Sequence, residues 1–209
     1  EIRRISDLAK FIYERQKEPL GNGHALLQAK EVVGNEPFAF AYGDDVFDAK
    51  IPAIKQLLET FAQKQKTVLG TIEVDDEGTK RYGILDVEAL DEQTFRVNNT
   101  VEKPGPDAAP SHYAGIGRYV FTPDIFTYLE KTKPGKGGEI WIIDALSKMI
   151  AKQVVYARKI EGTYFDCGNK VEFLKAIVHF AVKRDDISQE FTEYLRSMLE
   201  KHGHAKMAL

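Results

Sequence analysis

Apolar residues along this 209-residue chain fall into short continuous runs separated by stretches of helical spacing. The run Phe38-Ala39-Phe40-Ala41-Tyr42 predicts a strand over 37–42, and β-branched segments predict strands over 67–74 and 154–160. Between the first two, Ile51, Ile54, Leu57, Leu58 and Phe61 recur at the helical period, and a helix over 23–33 precedes them. Strands that are apolar on both faces belong in a parallel or mixed sheet covered by helices. The pattern therefore predicts an α/β fold, a three-layer α/β/α mixed sheet.

From residue 82 the strands shorten, over 82–87, 95–101 and 115–121, interrupted by Pro104-Gly105-Pro106 and Pro110. They are expected to form an added β region over the sheet's edge. Helices follow over 124–131 and 139–152, each announced by a proline or glycine. Two more are expected over 170–183 and 187–201, the last with Phe191, Tyr194, Leu195, Met198 and Leu199 on one stripe, to be covered by the core or by a second subunit. Residues 1–185 read as a core and 186–209 as a helical extension with a possible oligomer contact. The alternating His202 and His204 sit in a tail expected to fray, although two histidines can hold a metal.

Composition narrows the function. At 43% apolar residues the chain can bury one substantial core, and a net charge of −3 with pI near 6.0 argues against a sequence-independent nucleic-acid binder. Cys167 is the single cysteine, which excludes an intrachain disulfide and a cysteine-based zinc site and suits a reducing cytoplasm. No apolar run approaches the ~18 residues of a membrane span, and Glu1-Ile2-Arg3-Arg4 does not read as a signal peptide. The absent initiator methionine suggests processing or a fragment.

Two acids, Asp44 and Asp45, follow the strand over 37–42, where α/β proteins bind phosphates and metals, although an acid there is also an ordinary helix cap. Tyr164-Phe165-Asp166-Cys167-Gly168 repeats the arrangement, and two such acids at one sheet edge would make an oxygen-rich Mg2+ site. Gln16, ahead of Pro19-Leu20-Gly21-Asn22-Gly23, carries a carboxamide that matches the edge of uracil or thymine, and the glycines admit a flat base. A tight turn opening a helix accounts for the same glycines, and His24 reads as a helix-start residue. Glu102 and Lys103 stand side by side at a strand's end, on opposite faces unless the strand bends at Pro104. As a solvated pair they are unremarkable; in a sugar-phosphate site Glu102 would accept from hydroxyls and Lys103 would meet a phosphate. Gly83 offers a close approach or a bulge. Glu139 is expected in the first turn of a helix, where an acid suits the macrodipole whatever its function, as does Asp144. Arg118 can pair with an acid or a phosphate.

In order, the segments Arg15 to Ala25, Gly43-Asp44-Asp45, Tyr82-Gly83-Ile84, Val101-Glu102-Lys103-Pro104, Gly117-Arg118-Tyr119, Gly138-Glu139-Ile140 and Phe165-Asp166-Cys167-Gly168 resemble the bacterial UTP:glucose-1-phosphate uridylyltransferase family, within the sugar nucleotidyltransferases. Each motif is short, and together they run through nearly the whole chain. The resemblance implies a Rossmann-like nucleotide-diphospho-sugar transferase fold that converts UTP and glucose 1-phosphate to UDP-glucose and pyrophosphate in the cytoplasm. By position, Gln16 and Gly21 would hold uracil, Asp44 and Asp166 would bind Mg2+, and Glu102 and Glu139 would hold glucose hydroxyls. Lys103 would bind the sugar phosphate and Gly83 would admit the sugar to the backbone, with Asp44, Lys103 and Asp166 as the catalytic set.

From its charge, apolar runs and tail stripe the chain is expected to form a homo-oligomer, with neither nucleic acid nor membrane as partner. Nothing here matches the family's opening strand and Gly-Thr-Arg loop, which wraps the triphosphate. Weak or absent turnover of the chain alone is therefore expected, together with two uncovered strand edges where that strand would lie. Asn22 and Trp141-Ile142-Ile143 stand where the family commonly has Leu and Gln-Leu-Thr. The alternatives are a non-catalytic nucleotide-sugar binding or oligomerisation module and a glycosyltransferase that uses UDP-glucose.

Overall fold

The structure, a computed structural model, describes residue 4 and residues 6–203. His204 lies outside the described residues, as do residues 1–3. In chain order the elements are helices α1 (Asn22–Gln28) and α2 (Lys30–Val33), strands β1 (Phe38–Ala41) and β2 (Asp45–Asp48), α3 (Ala53–Lys64), β3 (Val68–Glu73), α4 (Asp76–Arg81), β4 (Gly83–Ala89), β5 (Thr94–Glu102) and β6 (Tyr113–Phe121). There follow α5 (Asp124–Glu130), a 3-10 turn (Lys136–Gly138), α6 (Ile142–Ile150), β7 (Val155–Lys159), β8 (Thr163–Asp166), α7 (Lys170–Ala181) and α8 (Ser188–Gly203). By contacts these fall into two compact units, one within 1–41 and 53–160, the other within 42–52 and 161–209. The units thus cut across residues 1–185, and α8 belongs to the second.

The first unit is built on a six-stranded mixed sheet of order β1-β6-β3-β7-β5-β4, in which only β3 and β7 run parallel. Neighbouring residues of a strand point to opposite faces. Val68 and Leu69 on β3 and Val120 and Phe121 on β6 are all buried, so both faces are covered and the α/β/α arrangement holds. Helix α3 packs on β3, β6 and β7 through Ala53, Gln56, Leu57 and Thr60, at the spacing of one helical face. Helix α6 packs on β5 and on α5, and α1 on α5 and α6. Phe38 and Phe126 stack with ring centroids 5.3 Å apart and Phe38 lies 5.8 Å from Phe121, which anchors the edge strand β1.

Several expectations change. The strands over 82–121 are not an addition over the sheet's edge: β6 pairs with β1, β3 and, at Ala114↔Ile84, β4, so it is integral to the sheet. The helix over 23–33 divides at Ala29 into α1 and α2. Ile51 lies before α3, and Leu58 faces outward on it. Helix α4 was not foreseen, because Asp75-Asp76-Glu77 has no apolar period; Asp75 caps it by accepting from the Gly78 amide at 2.9 Å. On α8 the stripe is largely uncovered, with Tyr194 and Leu199 exposed.

The second unit holds a separate two-stranded antiparallel sheet, β2 against β8, with register Asp45↔Asp166, Val46↔Phe165, Phe47↔Tyr164 and Asp48↔Thr163. Helix α7 begins at the Asn169 side chain, which accepts from the Val171 and Glu172 amides, and packs on β8. It is clamped to β2 by Asp48, whose Oδ2 accepts from His179 Nε2 at 2.6 Å and from Lys183 Nζ. These hydrogen bonds, that from Lys183 first, hold the Asp48 carboxyl below the usual carboxylate range.

Two outcomes are expected. Phe121→Ala, at a fully buried side chain, costs about 3–5 kcal/mol in urea unfolding. Because the Asp48 carboxyl titrates lower folded than unfolded, its contribution is present above the ordinary value of about 3.9 and is lost as pH falls through the lower folded value. Asp48→Asn therefore lowers the thermal midpoint at neutral pH, and its difference from the parent closes as pH falls through the lowered folded value; a difference that is constant with pH contradicts the clamp.

Candidate functional site

In the first unit, residues 20–23 lie backbone against backbone on residues 139–142. The Ile140 amide donates to Leu20 O at 2.8 Å, the Gly23 amide donates to Ile140 O at 2.9 Å, and Asn22 Oδ1 accepts from the Ile142 amide at 2.8 Å. Gly21 has φ +93, and a β-carbon there would lie 2.5 Å from Ile140 O; one at Gly23 would lie 2.8 Å from the same oxygen. What both glycines admit in the structure is therefore the Ile140 peptide. Gln16 crosses the turn: its Nε2 donates to Gly21 O at 3.1 Å and lies 2.8 Å from His24 Nδ1. Gln16, Gly21 and Glu139 are thus brought together, since a β-carbon at Gly21 would also approach Glu139 Cβ to 3.0 Å.

Glu139 is not in the first turn of a helix. Gly137 and Gly138 take left-handed φ of 74° and 79°, and Glu139 is extended at φ −89° and ψ 146°. Its carbonyl accepts from the Gly135 amide at 2.8 Å, and its Oε2 accepts from the Trp141 indole N–H at 2.6 Å. Helix α6 starts only after Trp141, capped from Asn22. Asn22 and Trp141 stood out in the sequence only as departures from the family pattern; their partners were not legible there, that of Asn22 because it lies 120 residues away.

A second group forms where β4 meets β5. Gly83 pairs with Glu102, and a β-carbon at Gly83 would lie 3.1 Å from Glu102 Oε2 and 3.8 Å from Thr100 Oγ1. The strand bends at Lys103 itself, one residue before the proline, with φ +46. That turn brings Lys103 Nζ to 3.6 Å from Glu102 Oε1, both half-exposed, so the pair shares one side. The Lys103 amide donates to Tyr82 O at 3.2 Å and fixes the bend. Thr100 was missed by sequence reasoning: its hydroxyl is shielded from solvent and, among the described residues, meets no hydrogen-bond partner. Arg118 lies on β6 and donates from Nη1 to Gly117 O at 2.9 Å.

The acids belong to the second unit. Asp45 is not a helix cap; it begins β2, is buried, and its Oδ1 accepts from the Tyr164 hydroxyl at 2.7 Å. Asp44 precedes it in the turn, and its carbonyl accepts from the Cys167 amide at 2.8 Å. A β-carbon at Gly168 would lie 3.0 Å from Asp44 Oδ2 and 3.1 Å from Asp166 Oδ1. The two oxygens are therefore no more than about 6 Å apart, against a span of at most ~4.2 Å for two oxygens bound at ~2.1 Å to one Mg2+. Burial, followed by the Asp166, Asp44 and Asp45 carboxylates, pushes the Cys167 thiol up, which marks a concentration of negative charge and makes Cys167 a poor nucleophile. No cluster of three or more His, Cys, Asp or Glu with metal-holding geometry occurs among the described residues. Two carboxylates suit Mg2+ nonetheless, because it keeps waters and takes further oxygens from phosphates.

A cleft of about 650 Å³ in the first unit, lined by residues including Tyr128, Lys131, Lys148 and Lys152, contains none of these groups. No described helix is long and apolar enough to cross a membrane.

Comparison with known proteins identifies the family. Residues 1–183 match the nucleotidyl transferase family. The UTP–glucose-1-phosphate uridylyltransferase 1 of Staphylococcus saprophyticus is 44% identical over 197 residues, covering 94% of this chain and 69% of that protein. A UTP–glucose-1-phosphate uridylyltransferase of Staphylococcus epidermidis is 41% identical over 198 residues, covering 95% and 69%. Among solved structures, a UDP-glucose pyrophosphorylase complexed with UDP-glucose superposes with TM-score 0.83 at 38% identity, covering 88% of this chain and 70% of that one. The UTP-bound enzyme from Acinetobacter baumannii gives TM-score 0.78 at 32% identity over 87% and 63%. With the mixed α/β sheet, the turn at residues 16–24 and the paired acids in place, the chain belongs to the UTP–glucose-1-phosphate uridylyltransferase family of nucleotidyl transferases.

Proposed function

We propose that the chain transfers a uridylyl group from UTP to glucose 1-phosphate, giving UDP-glucose and pyrophosphate. The observation that carries this reading is the juxtaposition of Gly83, Glu102 and Lys103. It sets a carboxylate that accepts from hydroxyls beside an ammonium that meets a phosphate, the two functions a sugar phosphate demands. The names of the relatives and the ligands in the solved structures support it.

In this reading Gln16 Oε1 accepts from the uracil ring N–H while Nε2 stays pinned to the turn, and Gly21 forms the wall beside the base. Glu102 and Glu139 accept from glucose hydroxyls, Gly83 lets the sugar lie near the backbone, and Lys103 binds the phosphate of glucose 1-phosphate. A phosphate oxygen of glucose 1-phosphate attacks the α-phosphorus of UTP in line; the new P–O bond forms as the bond to the β-phosphate oxygen breaks, and pyrophosphate leaves. The protein's work is positioning and charge compensation.

Nucleotidyl transferases generally use a divalent metal. Here Asp44 and Asp166 would hold Mg2+, supported by their shared approach to the space over Gly168. When bound, the ion offsets phosphate charge and orients the leaving group. The lone Cys167 agrees with a reducing, cytoplasmic setting, and the exposed Tyr194 and Leu199 on α8 suit a homo-oligomer built through the segment 186–209.

Pyrophosphate release from UTP plus glucose 1-phosphate, with and without Mg2+, tests the reading. Low but metal-dependent turnover is expected, because these 209 residues hold no Gly-Thr-Arg segment. Glucose transfer from UDP-glucose to an acceptor contradicts it, as does saturable UDP-glucose binding without release by a longer chain that carries a Gly-Thr-Arg loop. Asp166→Asn is expected to lower metal-dependent turnover on the order of a hundredfold while leaving metal-free UDP binding unchanged. Lys103→Gly removes the cation and relieves the left-handed backbone at φ +46. Its unfolding free energy from urea titration should hold or rise, by at most about 1 kcal/mol, while the KM for glucose 1-phosphate rises roughly tenfold.

A further inference from the structure

We propose that Trp141 is a positioning residue for the sugar: its indole N–H fixes the Glu139 carboxylate in advance, so that the remaining lone pairs of that carboxylate receive glucose hydroxyls. The inference rests on the uridylyltransferase reading of Glu139 and assigns Trp141 a role of its own. Glu139 and Trp141 are two apart in an extended segment, φ −89° and −107°, so their side chains share a face. Their 2.6 Å hydrogen bond is charge-assisted and half-buried.

The backbone that carries them has little freedom. Gly135 N and Leu20 O hold the peptide groups of Glu139 and Ile140, the Gly23 amide holds Ile140 O, and Asn22 Oδ1 ties the start of α6. Glu139 is also walled on its Cβ side by Gly21, where a β-carbon would come within 3.0 Å. Glutamate carries one of the larger rotamer entropies, and a carboxylate already oriented no longer pays that cost when the ligand arrives. One oxygen acceptor site is used by the indole, which leaves others for two hydroxyls of a sugar ring. A phenyl ring in place of the indole fills similar space without the donor, so the effect should fall on the sugar and not on the base.

Trp141 is the only tryptophan in the chain, so its emission reports on this contact without any label. The test titrates UDP-glucose and UDP, each in the presence of Mg2+, into the parent chain, into Trp141→Phe and into Glu139→Gln, with calorimetry for affinity and tryptophan emission for the parent and Glu139→Gln. UDP-glucose should change the parent's emission and UDP should not. Glu139→Gln should abolish that change, and Trp141→Phe should weaken UDP-glucose about tenfold while altering UDP less than about twofold. Heat of binding with UDP-glucose but unchanged emission and unchanged Trp141→Phe affinity overturns the inference alone. Equal weakening of UDP and UDP-glucose by Trp141→Phe also overturns it, since that marks a general structural role. No binding of UDP-glucose by the parent chain overturns both the inference and the uridylyltransferase reading.

Discussion

The peptide of Ile140 lies against the backbone of Gly21 to Gly23 with no room for a side chain between them. A β-carbon on either glycine would come within 2.8 Å of Ile140 O, which is closer than real side chains are tolerated. Three hydrogen bonds, from Ile140 to Leu20, from Gly23 to Ile140 and from Ile142 to Asn22, close the junction, each worth about 1 kcal/mol net. Everything proposed for the base and the sugar hangs on this contact. It aims α1, sets the start of α6 and fixes the extended segment on which Glu139 and Trp141 stand. The glycines are therefore demanded first by packing, and any role in admitting a uracil is built on that.

The acids obey a different constraint. In the second unit the register of β2 on β8 places Asp45 opposite Asp166, two like charges in directly paired positions. The cost is relieved for Asp45 by the Tyr164 hydroxyl, which lets a buried carboxylate persist. Asp44, one residue earlier, is left beside Asp166 over the bare face of Gly168. The Cys167 thiol nearby is pushed up first by burial and then by the Asp166, Asp44 and Asp45 carboxylates.

Strands β1, β3 and β7 were legible because continuous β-branched and aromatic runs leave a sheet strand few alternatives. The repeat of an acid after an aromatic stretch at Asp44 and Asp166 was legible as a pattern, and the structure brings both carboxylates near Gly168. Where the reading failed, long-range pairing or special backbone angles decided. Gly138-Glu139 resembles a helix start, but left-handed Gly137 and Gly138 make a turn and the helix waits for a cap from Asn22. Asp45 resembles a cap, but pairing with the distant strand β8, where it lies opposite Asp166, recruits it into β2. Glu102 and Lys103 should oppose one another along a strand, and only the positive φ of Lys103 brings them together. None of these is encoded in local propensity.

Amide hydrogen exchange at Gly23, Ile140 and Ile142 tests the central claim most directly, that the base turn and the sugar segment form one mechanical piece. The three amides are expected to share one opening rate and to slow together when UDP-glucose is added. Protection of Gly23 with unchanged exchange at Ile140 and Ile142 would contradict it.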